Sequence, residues 1–243
     1  MIQKVQKLKA RSTVDPDEIS HFSSHAADWW DVNGTYAPLH KMATARMEFI
    51  AKAFGPLNGK TVLDIGCGGG LICEPLSRLG GKVTGVDADP KAIQVAREHS
   101  LRHGAPVTYK NAAAEDLVAA GEKFDFITAL EIVEHVSSPM SFVALCSDLL
   151  KPGGKVVFST LNRTWKSYGL GIFIAERILS WAPAGTHSWN KFIKPSELAR
   201  IAECSDLKVI DACGLVYKPL SGSFELGQHD LDINYFMVAE KVS

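Results

Sequence analysis

Glu131, Glu134 and His135 stand together in Leu130-Glu131-Ile132-Val133-Glu134-His135. On a helix, positions three and four apart share a face. Two carboxylates and an imidazole so placed either hold one divalent cation or pair with one another and cap a turn. Oxygen donors suit Mg²⁺; the imidazole suits Mn²⁺, Zn²⁺ or Fe²⁺ better. A second group lies upstream. Gly66-Cys67-Gly68-Gly69-Gly70 follows the apolar, β-branched run Thr61–Ile65, and Leu71, Ile72, Leu76 and Leu79 then recur at helical spacing. Glycines let the backbone turn sharply and approach a ligand, and a helix start leaves N–H groups facing it. Asp87 ends another short strand run, Lys82–Asp87, 21 residues beyond Gly66. A carboxylate there accepts both hydroxyls of a ribose. The two halves together indicate an adenosine-containing cofactor on an α/β sheet; the bland alternative is a glycine turn that binds nothing.

A dinucleotide fingerprint fails because Leu71 stands where its third glycine belongs, and no Gly-Lys-Ser/Thr marks a phosphate loop. Asp64-x-Gly-x-Gly-Gly-Gly instead resembles motif I of the class I S-adenosylmethionine-dependent methyltransferases, and Asp87 matches that superfamily's ribose-binding acid.

The elements around these residues alternate. Pro90–His103 reads as a helix, Val107–Lys110 as a strand and Phe124–Leu130 as the fourth strand. Ser138-Pro139 opens a helix to Leu150, Lys151-Pro152-Gly153-Gly154 is a turn, and Lys155–Thr160 is the fifth strand. Such β/α alternation demands a parallel sheet with helices on both faces. Leu207–Leu215 and Ile233–Lys241 read as two terminal strands after a helix from Pro195 to about Ser205. The expected fold is α/β: a doubly wound, seven-stranded, mostly parallel sheet with an antiparallel last strand. Ahead of it, a helix from Asp15 through Trp30 and another over Leu39–Phe54 make a cap, in which Trp29 and Trp30 either pack on the core or wall a substrate site. One domain is read over residues 1–243, divided as 15–55 (cap), 58–161 (cofactor core), 162–193 (insertion) and 194–243 (terminal helix and strand pair).

The chain has 243 residues and a formal net charge of −1, so no polyanion partner is indicated. Five scattered cysteines without a CxxC pair suit free thiols in a reducing cytoplasm. No apolar leader and no spanning run is visible. The segment 167–182, SYGLGIFIAERILSWA, is apolar nearly all round. As a helix about 24 Å long, it either lies in a lipid interface, lines an entrance for a greasy substrate, or packs in a lid.

A closer likeness is carried by Trp29-Trp30-Asp31, Pro38-Leu39-His40, Arg46, the Val62–Gly70 motif, Leu130–His135, Ser159-Thr160-Leu161-Asn162-Arg163, Gly185-Thr186-His187 and Lys191-Phe192-Ile193-Lys194-Pro195. In this order, over about residues 15–241, they resemble the ubiquinone biosynthesis O-methyltransferase family. The resemblance implies an enzyme that methylates the phenolic hydroxyl of a 2-polyprenyl-6-hydroxyphenol and of 3-demethylubiquinol. It implies S-adenosyl-L-methionine held through Arg46, Gly66, Asp87 and Leu130, with Arg46 on the methionine carboxylate. Glu131 and His135 become the catalytic candidates. Eukaryotic relatives bind Mg²⁺ through residues matching Glu131, Glu134 and His135, so a metal that orients the phenolate is also implied. The family's inner-membrane link favours an interfacial role for 167–182, a cytoplasmic but peripherally membrane-associated enzyme, and association with other enzymes of the same pathway. Ala113 stands where many superfamily members carry an acid, so no side-chain contact to adenine follows there. His187 is either a proton acceptor or an exposed loop histidine. The competing readings are a non-catalytic cofactor-binding module, a nucleic-acid methylase, and a methylase of soluble phenols or carboxylates. No basic face with aromatic platforms supports a nucleic-acid substrate.

Overall fold

The computed structural model describes residues 12–14, 23, 26–168 and 189–242. Most of the expected first helix, the segment beyond Tyr168 and Gly185–His187 lie outside the described residues. Thr61–Ile65 (β1) alternates its side chains between two packed faces. Val62 belongs to the apolar cluster shared with the helices Ala37–Phe54 (α1), Cys73–Arg78 (α2) and Pro90–His103 (α3). Leu63 belongs to the opposite cluster, shared with Ala114–Ala119 (α4), Pro139–Leu149 (α5) and Pro195–Glu203 (α6). Both side chains are fully buried, as strands covered on both faces require.

The sheet continues through Lys82–Asp87 (β2), Val107–Asn111 (β3), Phe124–Leu130 (β4), Leu150–Leu161 (β5), Leu207–Lys218 (β6), Ser223–Gly227 (β7) and Asn234–Lys241 (β8). Their order across the sheet is β3-β2-β1-β4-β5-β8-β6-β7. The pairs from β3 to β5 are parallel; β8 runs antiparallel to both β5 and β6. The chain reverses its winding between β1 and β4, so the glycine turn and Glu131 meet at the switch point, where open α/β sheets bind ligands.

Local chemistry sets the helix ends. The Asp89 carboxylate accepts from Lys91 N at 2.9 Å, Pro90 fills the first helical position, and Gly104 closes α3 in the left-handed region at φ 64°.

Among the described residues the sheet has eight strands rather than the expected seven. The added strand, β7, pairs with β6 at the edge and lies under α1, where Phe224 and Leu226 join the apolar cluster. The expected turn at Lys151–Gly154 is an insertion within β5: Phe124 pairs with Leu150, yet Phe126 pairs with Lys155. This bulge aims Lys151 Nζ at Asp125 Oδ2, 2.8 Å away, and at Thr61 Oγ1, 3.0 Å away. Thr61 N and Oγ1 donate to the same carboxylate oxygen at 2.8 and 2.7 Å. Partial burial opposes ionisation of Asp125, but Lys151 and Thr61 outweigh it and hold the carboxyl below the usual range. A group depressed on folding stabilises above its unfolded pKa, near 3.9, and loses that contribution as pH falls through the folded value. Asp125→Asn should therefore cost about 1–2 kcal/mol at pH 7, after allowance for solvent exposure. The gap in melting temperature from the parent should narrow progressively as pH falls below about 4; a gap as wide at pH 2 as at pH 7 would refute the charge argument.

Candidate functional site

β1 runs into a turn that only glycine can make in this form. Gly66, Gly68 and Gly70 have φ of 71°, 51° and 89°. Gly66 N and Cys67 N both donate to Val86 O, at 2.8 and 3.0 Å, which ties the turn to β2. At the end of β2, Asp87 accepts from Gly68 N through Oδ2 at 2.9 Å and from Asp89 N through Oδ1 at 2.8 Å. Each oxygen keeps acceptor capacity for a ligand hydroxyl. Burial raises the Asp87 pKa, and the backbone N–H donors pull it back. Beneath the turn, buried Asp64 accepts from Thr128 Oγ1 at 2.6 Å and Cys73 Sγ at 3.2 Å. Burial pushes its pKa up to about 6.

Across the switch point lies the second half of the site. Arg46 comes from α1 and is 3% exposed. Its Nη2 sits 3.2 Å from Glu131 Oε1, an ion pair without good hydrogen-bond geometry; neither Nε nor Nη2 has a hydrogen-bond partner among the described residues. Burial draws the guanidinium pKa down, while Glu131, Glu134 and Asp64 raise it. Buried donors left open in this way are costly, and a guanidinium fork matches a ligand carboxylate. These residues fit an amino-acid cofactor: carboxylate on Arg46, ribose on Asp87, backbone close against Gly66. Leu130, half-buried at the end of β4, packs beside them on the apolar cluster.

Glu131 adopts φ 50°, a left-handed conformation rare outside glycine. Two other strands hold it there. Glu131 N donates to Ser159 O at 3.0 Å and to Ser159 Oγ at 3.1 Å. Its Oε1 accepts from Ser159 Oγ at 2.7 Å and Asn234 Nδ2 at 3.0 Å.

A model of the methyltransferase domain matches residues 39–212. Ubiquinone biosynthesis O-methyltransferases from Cereibacter sphaeroides and Bartonella bacilliformis are each 44% identical to this chain. The first alignment covers 94% of this chain and 97% of the relative; the second covers 96% and 98%. The chain belongs to the ubiquinone biosynthesis O-methyltransferase family. Its fold is that of the S-adenosylmethionine-dependent methyltransferases. The magnesium protoporphyrin IX methyltransferase of Synechocystis, solved with bound SAH, superposes with a TM-score of 0.67 at 19% identity, over 93% of this chain and 98% of that one. A possible histamine N-methyltransferase from Thermotoga maritima gives 0.68 at 15% identity, over 91% and 98%.

In this family member the cap is fastened to the glycine turn. A Cβ on Gly68 would lie 2.3 Å from the Trp29 ring, so the indole rests directly on the turn's backbone. Trp29 stacks on Tyr36 with centroids 4.0 Å apart and planes 6° apart. Burial, then the charges of Asp89, Asp28 and Asp87, push the Tyr36 phenol pKa up. Trp30 Nε1 donates to Gly69 O at 3.0 Å, and its ring stacks on His99 at 3.4 Å. His99 Nδ1 lies 2.6 Å from Oε1 of fully buried Glu74, whose other oxygen takes Arg78 at 3.0 Å. The two tryptophans therefore clamp the cofactor turn, a role that neither of the two sequence expectations described.

The expected metal set is corrected by the structure. The left-handed Glu131 turns the backbone, and residues 131–137 form a turn rather than a helix, so Glu131, Glu134 and His135 do not share a helical face. Among the described residues, no three His, Cys, Asp or Glu side chains could together hold a metal ion. Glu131 Oε1 is committed to Arg46, Ser159 and Asn234. Glu134 is 6% exposed, and among the described residues its Oε2 has no hydrogen-bond partner of good geometry, with the Thr160 hydroxyl nearby. Burial, then Glu131, push its pKa up to about 7, and His135 opposes this. His135 N donates to Ile132 O at 2.9 Å within the turn. Sequence reasoning missed Ser159, Asn234 and Tyr36 as site residues. Ser159 at least lay in a quoted motif; nothing local distinguishes Asn234 or Tyr36.

Proposed function

We propose that the chain is an O-methyltransferase of ubiquinone biosynthesis acting on the phenolic hydroxyl of a 2-polyprenyl-6-hydroxyphenol and of 3-demethylubiquinol. The observation that carries the cofactor half is buried Arg46, with open N–H groups beside Glu131 at the switch point. The acceptor half draws on the named relatives that align over nearly the whole chain. When bound, S-adenosylmethionine supplies an electrophilic methyl: an oxygen–carbon bond forms as the sulfur–carbon bond breaks, and the phenol proton leaves to a base. Arg46 binds the carboxylate, Asp87 the ribose hydroxyls, and Gly66 lets the backbone come close. Glu131, with Oε1 fixed by two hydrogen-bond donors and the Arg46 ion pair, offers Oε2 as the proton's acceptor. His135, one step past Glu134, stays a second catalytic candidate. The Glu131–Glu134–His135 set does not fit a metal as arranged, so no step is drawn through one.

Peripheral attachment at the cytoplasmic face of the inner membrane completes the reading. No helix of the described residues is long and apolar enough to cross a membrane. Trp165 is 80% exposed, and it forms an aromatic patch with Tyr168 and Trp189 at the two ends of the apolar insertion. Aromatic rings with one wet edge suit a lipid interface. Contact with other enzymes of the pathway is part of the proposal and rests on the resemblance alone.

One assay tests these points: methyl transfer to tailed and tail-free catechols and to soluble carboxylates, with and without EDTA, and with anionic vesicles. The tailed catechol should be preferred, and EDTA should leave the rate within about twofold. A tenfold loss restored by Mg²⁺ would return the metal to the mechanism. Preference for a carboxylate or for the tail-free phenol would favour the soluble-substrate alternative. Trp165→Glu should weaken vesicle co-sedimentation; unchanged sedimentation would remove the patch from membrane binding.

A further inference from the structure

A closed ring of contacts braces the second half of the glycine turn. Gly69 O accepts from Trp30 Nε1 at 3.0 Å. The Trp30 ring lies on His99, with centroids 3.4 Å apart and planes 3° apart. His99 Nδ1 lies 2.6 Å from Glu74 Oε1. Glu74 N donates to Gly70 O at 3.2 Å. The ring therefore begins and ends on adjacent glycines, and His99, on α3, joins its cap side to its core side. Fully buried Glu74 is held by Arg78 on its other oxygen, which fixes the plane of the imidazole under the indole. Trp30 and His99 are each half-buried, so either ring can be replaced without opening the core.

Glycine has more backbone freedom to lose than any other residue. Gly68 and Gly70 both sit at positive φ, and Gly68 N carries the hydrogen bond to Asp87. A brace on Gly69 and Gly70 thus sets where Gly68 presents its backbone and where Asp87 points. Resting on the reading of this turn as the S-adenosylmethionine site, we infer that His99 is a positioning residue for the cofactor: stacked on Trp30, it holds the cap on the glycine turn and slows the cofactor's departure. Its effect passes through Trp30 to Gly69.

The test is the affinity and dissociation rate of S-adenosylhomocysteine, read by titration calorimetry and stopped flow, in three variants at residue 99. An aromatic pair and an N–H···O bond each contribute about three- to tenfold to an equilibrium constant. His99→Leu loses both contacts and should weaken Kd and speed dissociation about tenfold. His99→Phe keeps a stacked ring and drops the Glu74 contact; it should stay within about threefold of the parent. His99→Gln can still reach Glu74 but has no ring, and it should behave like His99→Leu. The contrast of Phe with Gln stands even if His99→Leu unfolds. In methyl transfer the same order should appear in KM for S-adenosylmethionine, with kcat at saturating cofactor changed less than about threefold. In a Trp30→Leu background, His99→Leu should add less than about twofold, because both act through one contact. Hydrogen exchange gives a readout without cofactor: the Gly70 amide, bonded to Cys67 O at 2.9 Å, should exchange faster in His99→Leu and at the parent's rate in His99→Phe. Affinity kept in His99→Gln and lost in His99→Phe would overturn the inference, since His99 would then serve only to pair buried Glu74. Unchanged Kd in all three variants, or full additivity with Trp30→Leu, would overturn it while leaving the cofactor site in place. A parent protein that binds no S-adenosylhomocysteine would instead sink the cofactor reading and take the inference with it.

Discussion

Asp87→Ala should weaken cofactor binding by at least about 100-fold in titration calorimetry. The carboxylate holds the glycine turn by accepting from Gly68 N and Asp89 N. It also has capacity for two ligand hydroxyls. A hydrogen bond to a charged group contributes about 1.5–3 kcal/mol, so losing two costs roughly 3–6 kcal/mol, or two to four decades in Kd. Removing the carboxylate also frees Gly68, which blurs the surface the ligand meets. Asp87→Asn separates the two effects: its amide oxygen still accepts from one N–H while the charge is gone, so the loss should be smaller. Unchanged affinity in the alanine variant would remove Asp87 from the ribose site.

The second large effect belongs to Glu131. Glu131→Gln should lower kcat by about 100-fold or more, with S-adenosylhomocysteine affinity within about threefold of the parent. Glutamine keeps the shape and can still accept from Ser159 and Asn234, so the left-handed backbone at residue 131 survives. It cannot take a proton. Alanine would be a poorer test, because it would strip two partners from a strained residue and mix stability with chemistry. Arg46 loses its anion in Glu131→Gln, which leaves the guanidinium wholly to the ligand's carboxylate; affinity should hold or improve. Full turnover in this variant would end the role assigned to Glu131.

Much of the cofactor half could be read from local sequence. A strand, a glycine turn and a second strand ending in an acid are short-range features, and Asp87, Gly66 and the helix Pro90–His103 stand where they were expected. The acceptor half was less legible for a physical reason. Whether Glu131–His135 is a helical turn or a left-handed bend depends on Ser159 and Asn234, partners 28 and 103 residues away. Spacing within five residues carries no trace of them, and the metal expectation failed on that point. The same holds for β7, whose five residues become a strand because β6 pairs with them and α1 covers them. The tryptophans read as packing or substrate-wall residues because nothing near them in sequence announces His99 or the carbonyl of Gly69.

The place of β8 between β5 and β6 has a consequence for assembly. During synthesis β6 and β7 emerge first, yet they have no edge to join until residues 234–241 arrive and zip onto β5. A nascent chain can thus complete its nucleoside pocket while Glu131 still lacks Asn234. The contact from Asn234 to Glu131 therefore forms only once β8 is in place.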